Sequence, residues 1–166
     1  MNIISIENTN RAGVDQFIKD EWGGPMIVTL GNLYDSSLLP GFVARDGGKI
    51  VGAVLYRLDG DECEIAAIYS LLQNRGIGAA LANKVLDAAK ERGCRRIWLV
   101  TTNDNTRAIR FFQKFGFKLK AVHIGSFEVV RRLKGGLPAR GIDSIPIEHE
   151  FEFEIILNPD GGARVV

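Results

Sequence analysis

Metal-ligating side chains are scarce in this chain. Its two cysteines, Cys63 and Cys94, stand outside any C-x-x-C spacing, and its two histidines, His123 and His149, lie far apart. No metal site is expected from that set, and both thiols are expected to be free and at least half buried. An excess of one charge is missing too. With 21 Lys and Arg against 20 Asp and Glu, a formal net charge of +1 provides no broad basic field, which argues against nucleic acid or a membrane surface as partner. No window reaches ~18 apolar residues and no apolar stretch follows a basic start. Neither a transmembrane helix nor a signal peptide is expected, and the cytoplasm is the default location. Internal repeats and low-complexity tracts are absent as well.

What is present is an ordinary globular composition, 46% hydrophobic and 25% charged over 166 residues. Such a chain buries roughly 70% of its unfolded surface without a metal or disulfide staple. One domain is expected over residues 1–157, with a frayed tail over 158–166. Residues 2–7 read as a strand, and Ala12 to Trp22 as a helix with Val14, Phe17, Ile18 and Trp22 at helical spacing, closed by Gly23-Gly24-Pro25. Met26 to Leu30 reads as a short strand and Leu33 to Pro40 as loop. Turns at Asp46-Gly47-Gly48 and Asp59-Gly60-Asp61 separate β-rich runs at 42–45, 50–58 and 62–71, the pattern of an antiparallel meander.

Beyond that meander the period changes. A helix follows Gly78 with Leu81, Val85, Leu86 and Ala89 on one face, and a short apolar strand follows at Ile97 to Val100. The next helix opens near Asp104 or Asn105, carries Ala108, Phe111, Phe112 and Phe115 at i, i+3, i+4, i+7, and stops at Gly116. Phe117 to Ile124 and Glu150 to Leu157 read as the final strands. The second alternates apolar residues with Glu150, Glu152 and Glu154, so its acidic face must meet water or a cation. This order indicates an α+β fold, with a mixed, mostly antiparallel central sheet flanked by helices on both faces.

The most informative stretch is Gln73-Asn74-Arg75-Gly76-Ile77-Gly78, between an apolar strand and an amphipathic helix. A turn with two glycines brings backbone N–H groups close to a ligand, and the helix adds its orphan amides and positive dipole end. The product is a cradle for a phosphate or pyrophosphate. A Walker A loop needs G-x-x-x-x-G-K-[ST], and neither its spacing nor its Lys-Ser/Thr pair is here. A Rossmann fingerprint laid on Gly76 and Gly78 puts Leu81 at the third glycine, and Arg95-Arg96-Ile97-Trp98 stand where a ribose-binding acid belongs.

The same six residues fit Q/R-x-x-G-x-G/A. Thirty residues downstream, Asn105-Thr106-Arg107-Ala108-Ile109-Arg110-Phe111-Phe112-Gln113-Lys114-Phe115-Gly116-Phe117 fits N-x-x-A-x-x-F-Y-x-x-x-G-F except at Phe112. In their order and spacing the two segments resemble those of the GNAT superfamily of N-acetyltransferases, and the resemblance spans roughly residues 38 to 124. It implies acetyl-CoA as cosubstrate, with no metal, and transfer of its acetyl group to a primary amine by direct attack. The rival is a non-catalytic acyl-CoA-binding or regulatory module.

The resemblance assigns residues to each part of that chemistry. Gln73, Asn74, Arg75, Gly76, Ile77, Gly78 and Ala79 form the pyrophosphate loop. The splayed strand before it, around Ile68, Ser70 and Leu71, offers free backbone groups to the pantetheine arm, which Asn105 and Ala108 also line; Asn105 reads equally as a helix cap. Glu62 or Glu64 is the general base, with Glu64 favoured as the deeper of the two, unless both decorate an exposed sheet face. Phe112 stands where the fuller motif has the tyrosine that protonates the leaving thiolate. A thiol of pKa about 8.5 leaves tolerably as the anion, and Tyr69 is another donor.

The long segment Gly125 to Pro146 is expected to hold a short helix at Phe127 to Leu133 and to fold over the acceptor end of the cleft or into a partner chain, as in a homodimer. Its basic cluster of Arg131, Arg132 and Lys134 favours a small amine, or an amino group bearing a carboxylate, over a polyamine.

Overall fold

A computed structural model describes residues 1–72 and 75–157. Gln73 and Asn74 of the glycine-containing loop and the expected tail 158–166 lie outside the described residues. The strands are β1 (Asn2–Ser5), β2 (Met26–Thr29), β3 (Asn32–Asp35), β4 (Gly41–Asp46), β5 (Lys49–Asp59), β6 (Glu62–Ser70), β7 (Arg96–Thr102), β8 (Lys118–His123) and β9 (Glu150–Ile156). The helices are α1 (Asn8–Trp22), α2 (Ile77–Glu91), α3 (Thr106–Phe115) and α4 (Phe127–Lys134). Seven strands make one sheet in the order β1-β4-β5-β6-β7-β9-β8, and β2 pairs with β3 in a separate hairpin. Only β6 and β7 run parallel; the other pairs are antiparallel. The α+β architecture with a mixed, mostly antiparallel sheet is thus as the sequence indicates.

Two elements differ from the expectation. Helix α1 starts at Asn8 instead of Ala12, because Asn10 Oδ1 accepts from the Glu7 N–H at 2.9 Å and closes a polar first turn that carries no apolar period. Leu33 to Pro40 is not all loop. Thr29 pairs with Asn32 across a two-residue turn whose Leu30 and Gly31 both have positive φ, 46° and 78°. That is a mirror-image hairpin turn, and leucine at its first position hides it, since asparagine or glycine is the usual occupant.

The sheet has two differently covered faces. Helices α2 and α3 pack on the first, where Leu81, Val85, Ile97, Phe112, Phe117 and Phe153 share one core. Gly93 and Gly116 end these helices with positive φ, at 71° and 119°. Cys63 and Cys94 are buried free thiols on this side, as expected; burial pushes Cys63 up to about 12, which leaves it a chemically inert core residue. On the second face α1 covers β4, β5 and β6 through Val14, Ile18, Val43, Leu55 and Ala67.

The β2–β3 hairpin and α4 complete the second face. Phe127 and Val130 of α4 pack with Ile147, Val28 and Leu137 in a satellite core, so Gly125 to Pro146 folds back over its own chain. The β7–α3 turn pins the rest of that segment: Asn103 Oδ1 accepts from the N–H groups of Glu148 and His149, both at 2.9 Å, and Asp104 accepts from the Ile142 N–H at 3.0 Å. A Cβ at Gly141 would lie 1.9 Å from Asp104 Oδ2, so any other residue there would have to displace the Asp104 carboxylate. Phe127→Ala is expected to destabilise the fold by about 3 kcal/mol, read as a lowered Tm. A Tm unchanged from the wild type would show that α4 is not clamped through that ring.

Candidate active site

Strand β6 begins as an interior strand and ends as an edge. It pairs with β7 only over Glu62 to Ile65, against Arg96 to Leu99, and then continues with β5 alone while β7 continues with β9. The two strands separate beyond Ile65 and Leu99, leaving a V-shaped gap. Ile68 and Ser70 are on its β6 wall, where β6 has no β7 partner. Leu71 is partly committed, since its N–H donates to Val51 O at 3.0 Å.

Helix α2 starts at the end of that wall. Gly76 is its N-cap with φ 72°, and a Cβ there would meet nothing within 4 Å among the described residues. The first intrahelical bond is from the Ala80 N–H to Gly76 O at 2.9 Å. The N–H groups of Ile77, Gly78 and Ala79 therefore precede any helical acceptor and, with the dipole end, form an anion-binding turn. Arg75 is exposed beside them, while the Ile77 side chain anchors the turn in the core. Gly78 carries a second constraint: a Cβ there would lie 3.4 Å from the Phe111 ring, so α2 and α3 approach closely at this point.

Across the sheet, Asn105 caps α3, its Oδ1 accepting from the Ala108 N–H at 3.1 Å. The capping reading is realised, and the Asn105 Nδ2 group remains for another partner. Phe112 is 4% exposed and packs edge-on against Phe111 and Phe117, with ring centroids 5.1 and 5.5 Å away.

The parity of β6 changes at Ala66. Leu55 pairs with Ala67 but Tyr56 pairs with Ile65, so Ala66 is an extra residue, a β-bulge at the point where the gap opens. In a regular strand Glu64 and Tyr69, five apart, would face opposite sides. The bulge instead brings Glu62, Glu64, Ala67 and Tyr69 to the second face. The sequence carries no signal for it.

Glu64 is 1% exposed. Its Oε2 accepts from Arg57 Nε at 3.1 Å, and its Oε1 is buried without a hydrogen-bond partner among the described residues. Burial raises its pKa, opposed by the Thr29 hydroxyl and by Arg57. Arg57 itself lies over the Tyr34 ring, 5.0 Å from its centroid. Glu62 differs in being partly exposed and bound to Arg96 at 3.2 Å. Arg96 also holds Glu152 and, at 2.6 Å, Glu154, so these two acids of the β9 face meet a cation instead of water. Tyr69 packs edge-on against Phe17 and Trp22, and the influence of Glu21 on its hydroxyl, together with burial, raises its pKa and makes it a weaker proton donor. Arg57, Thr29 and Arg96 were not singled out by sequence. Long-range pairing alone assembles them.

A family model described as the acetyltransferase (GNAT) family matches residues 14–117. The chain is 36% identical over 152 residues to the uncharacterised protein YxbD of Bacillus subtilis, covering 91% of this chain and 96% of that one. Among solved structures it resembles an acetyltransferase from Bacillus subtilis in complex with CoA, with a TM-score of 0.68 and 20% identity over 95% of this chain and 99% of the other. It also resembles a GNAT family acetyltransferase from Elizabethkingia anophelis with acetyl-CoA bound, with a TM-score of 0.66 and 17% identity over 94% and 97% of the two chains. The chain belongs to the GNAT acetyltransferase family. Among the described residues no group of His, Cys, Asp and Glu is arranged to hold a metal ion, and no helix is long and apolar enough to cross a membrane.

Proposed function

We propose that this chain is an acetyl-CoA-dependent N-acetyltransferase acting on a primary amine by direct attack. The observation that carries this reading is the meeting, at one sheet, of an anion-binding helix start, a gap between β6 and β7, and a buried carboxylate with an unsatisfied oxygen at the narrow end of that gap. The cradle fits a pyrophosphate: Gly76 holds a conformation that side chains avoid, with open space where a Cβ would stand. The amides of Ile77, Gly78 and Ala79 would hold it, and the free edge of β6 at Ile68 and Ser70 would align the arm that joins it to the thioester. Acetyl-CoA supplies the activated acetyl group.

Glu64 Oε1 takes the proton of the attacking nitrogen, directly or through a water. A raised pKa suits that task, because burial makes the carboxylate a stronger base than an ordinary one. Phe112 provides packing and no proton, so the thiolate leaves as the anion or by way of solvent. The non-catalytic module remains the rival on that one residue. A free-thiol assay with acetyl-CoA over a panel of amines separates the two: amine-stimulated thiol release supports the enzyme, and acetyl-CoA binding without such release supports the module.

Phe112→Tyr should keep turnover level or raise it, with a lower Tm, because a hydroxyl placed among Phe111 and Phe117 costs about 1–3 kcal/mol when it finds no partner. A fall in turnover at unchanged Tm would show that this ring does not border the leaving group.

A further inference from the structure

Glu150 opens β9 in register with Thr102 of β7 and His123 of β8. It is 3% exposed. Among the described residues its Oε1 has a single long contact, from the Leu30 N–H at 3.4 Å, and its Oε2 is buried with no hydrogen-bond partner. The other acids of the strand are satisfied: Glu152 by Arg96 and His123, Glu154 by Arg96 and Lys120. Glu150 has no cation against it among the described residues. A carboxylate leaves water only where cations or donors replace the water it loses.

Glu64 repeats the pattern with its own orphaned Oε1. The β2–β3 hairpin lies against both acids, since its Tyr34 stacks under Arg57, which binds Glu64, and its Leu30 N–H meets Glu150. Both unpaired oxygens therefore lie in one layer, between the sheet and the β2–β3 hairpin. Glu64 stands where the gap begins. Thr102 is three residues beyond Leu99, the last β7 residue paired with β6, or roughly 10 Å along the strand, and Glu150 is its partner on β9, the strand next beyond that wall.

We infer that the acceptor is an amine carrying a second ammonium group, of the short α,ω-diamine type, with Glu150 binding the ammonium that does not react while the reacting nitrogen lies at Glu64. This rests on the N-acetyltransferase reading and adds the substrate class. Glu64 has Arg57 as its counter-ion, but the charge of Glu150 is uncompensated among the described residues and repels an acceptor that bears a carboxylate, so the site favours the dication over the amino acid type of acceptor raised by the sequence. The basic residues that argued against it point elsewhere. Arg131 donates to Ile147 O and Glu128, Arg132 is exposed, and Lys134 reaches Trp22 O.

Three probes of equal chain length test this: n-butylamine, 1,4-diaminobutane and 4-aminobutanoate, compared by thiol release from acetyl-CoA with the full chain and with Glu150→Gln, which keeps the shape and removes the charge. The wild type should favour diaminobutane over butylamine by at least about tenfold in kcat/KM, chiefly through KM, and the ratio should fall to near unity in the variant. A wild type that uses the three amines equally, or prefers 4-aminobutanoate, overturns the inference while acetyl transfer stands. If no amine releases thiol although acetyl-CoA binds, the N-acetyltransferase reading fails instead, and calorimetry decides this one. Diaminobutane binding that Glu150→Gln loses supports it, and no binding to the wild type overturns it.

Discussion

Replacing Glu64 by Gln is expected to lower kcat by about 10²- to 10⁴-fold, the range typical of a lost general base, with little change in acetyl-CoA affinity. The substitution preserves the side-chain volume under the hairpin and leaves Oε1 as an amide acceptor that cannot take a proton. The pH profile is the sharper readout. Burial raises the folded pKa of Glu64, so the acidic limb of the wild-type kcat/KM profile should lie above the ordinary carboxylate range, and the variant should lose that limb. Stability follows the same shift with its own sign: a carboxyl whose folded pKa is raised contributes stability that is full below its unfolded pKa and is lost as pH rises through the raised folded value. The Gln variant should therefore lose that part of the pH dependence of unfolding. Its Arg57 retains Asp59 at 2.9 Å, which limits the damage of losing an ionic partner. Coincident activity profiles for the wild type and Glu64→Gln would move the base to Glu62 or to water.

The fold was legible wherever local pattern and tertiary demand agree. The Asp-Gly turns gave β4, β5 and β6; the apolar faces of α2 and α3 gave their burial; the acidic alternation of β9 gave its two-sidedness. Leu30 concealed the β2–β3 hairpin, because the residue in the turn is not one that turn chemistry favours. The site was legible along the chain and illegible across it. Gly76 and Glu64 stand out from their neighbours in sequence, whereas Arg57, Thr29 and Glu150 matter only because β5, the hairpin and β9 bring them to Glu64 and the gap. The Ala66 bulge is the clearest case. It decides which side chains share a face, and an alanine between Ile65 and Ala67 carries nothing that announces it.

Gly76→Val should weaken acetyl-CoA binding by about 10²-fold, and the reason is separable from its effect on folding. Two constraints meet at Gly76: a φ of 72°, which a β-branched residue adopts only under strain, and open space among the described residues where a Cβ would stand, beside the proposed anion site. Strain of this kind costs roughly 1–2 kcal/mol and lowers the Tm whether or not a ligand binds. The open space matters only to the ligand, since a valine there stands where the pyrophosphate oxygens must approach. Losing one or two charge-assisted hydrogen bonds at roughly 1.5–3 kcal/mol each gives about 10²-fold of a micromolar affinity that amounts to about −8 kcal/mol. Gly60 supplies the control. It has a φ of 58° in the β5–β6 turn, also with nothing within 4 Å of a Cβ, and it lies at the opposite end of β6 from the helix start. Gly60→Val should therefore lower the Tm by a similar amount and leave acetyl-CoA affinity as it was. Gly76 is also a better choice than Gly78 for this measurement, because a side chain at Gly78 meets Phe111 and would disturb α3 as well as the cradle. Calorimetric titration of both variants with acetyl-CoA decides the matter. Equal affinities for Gly76→Val and Gly60→Val, at equal loss of Tm, would place the anion site away from the start of α2.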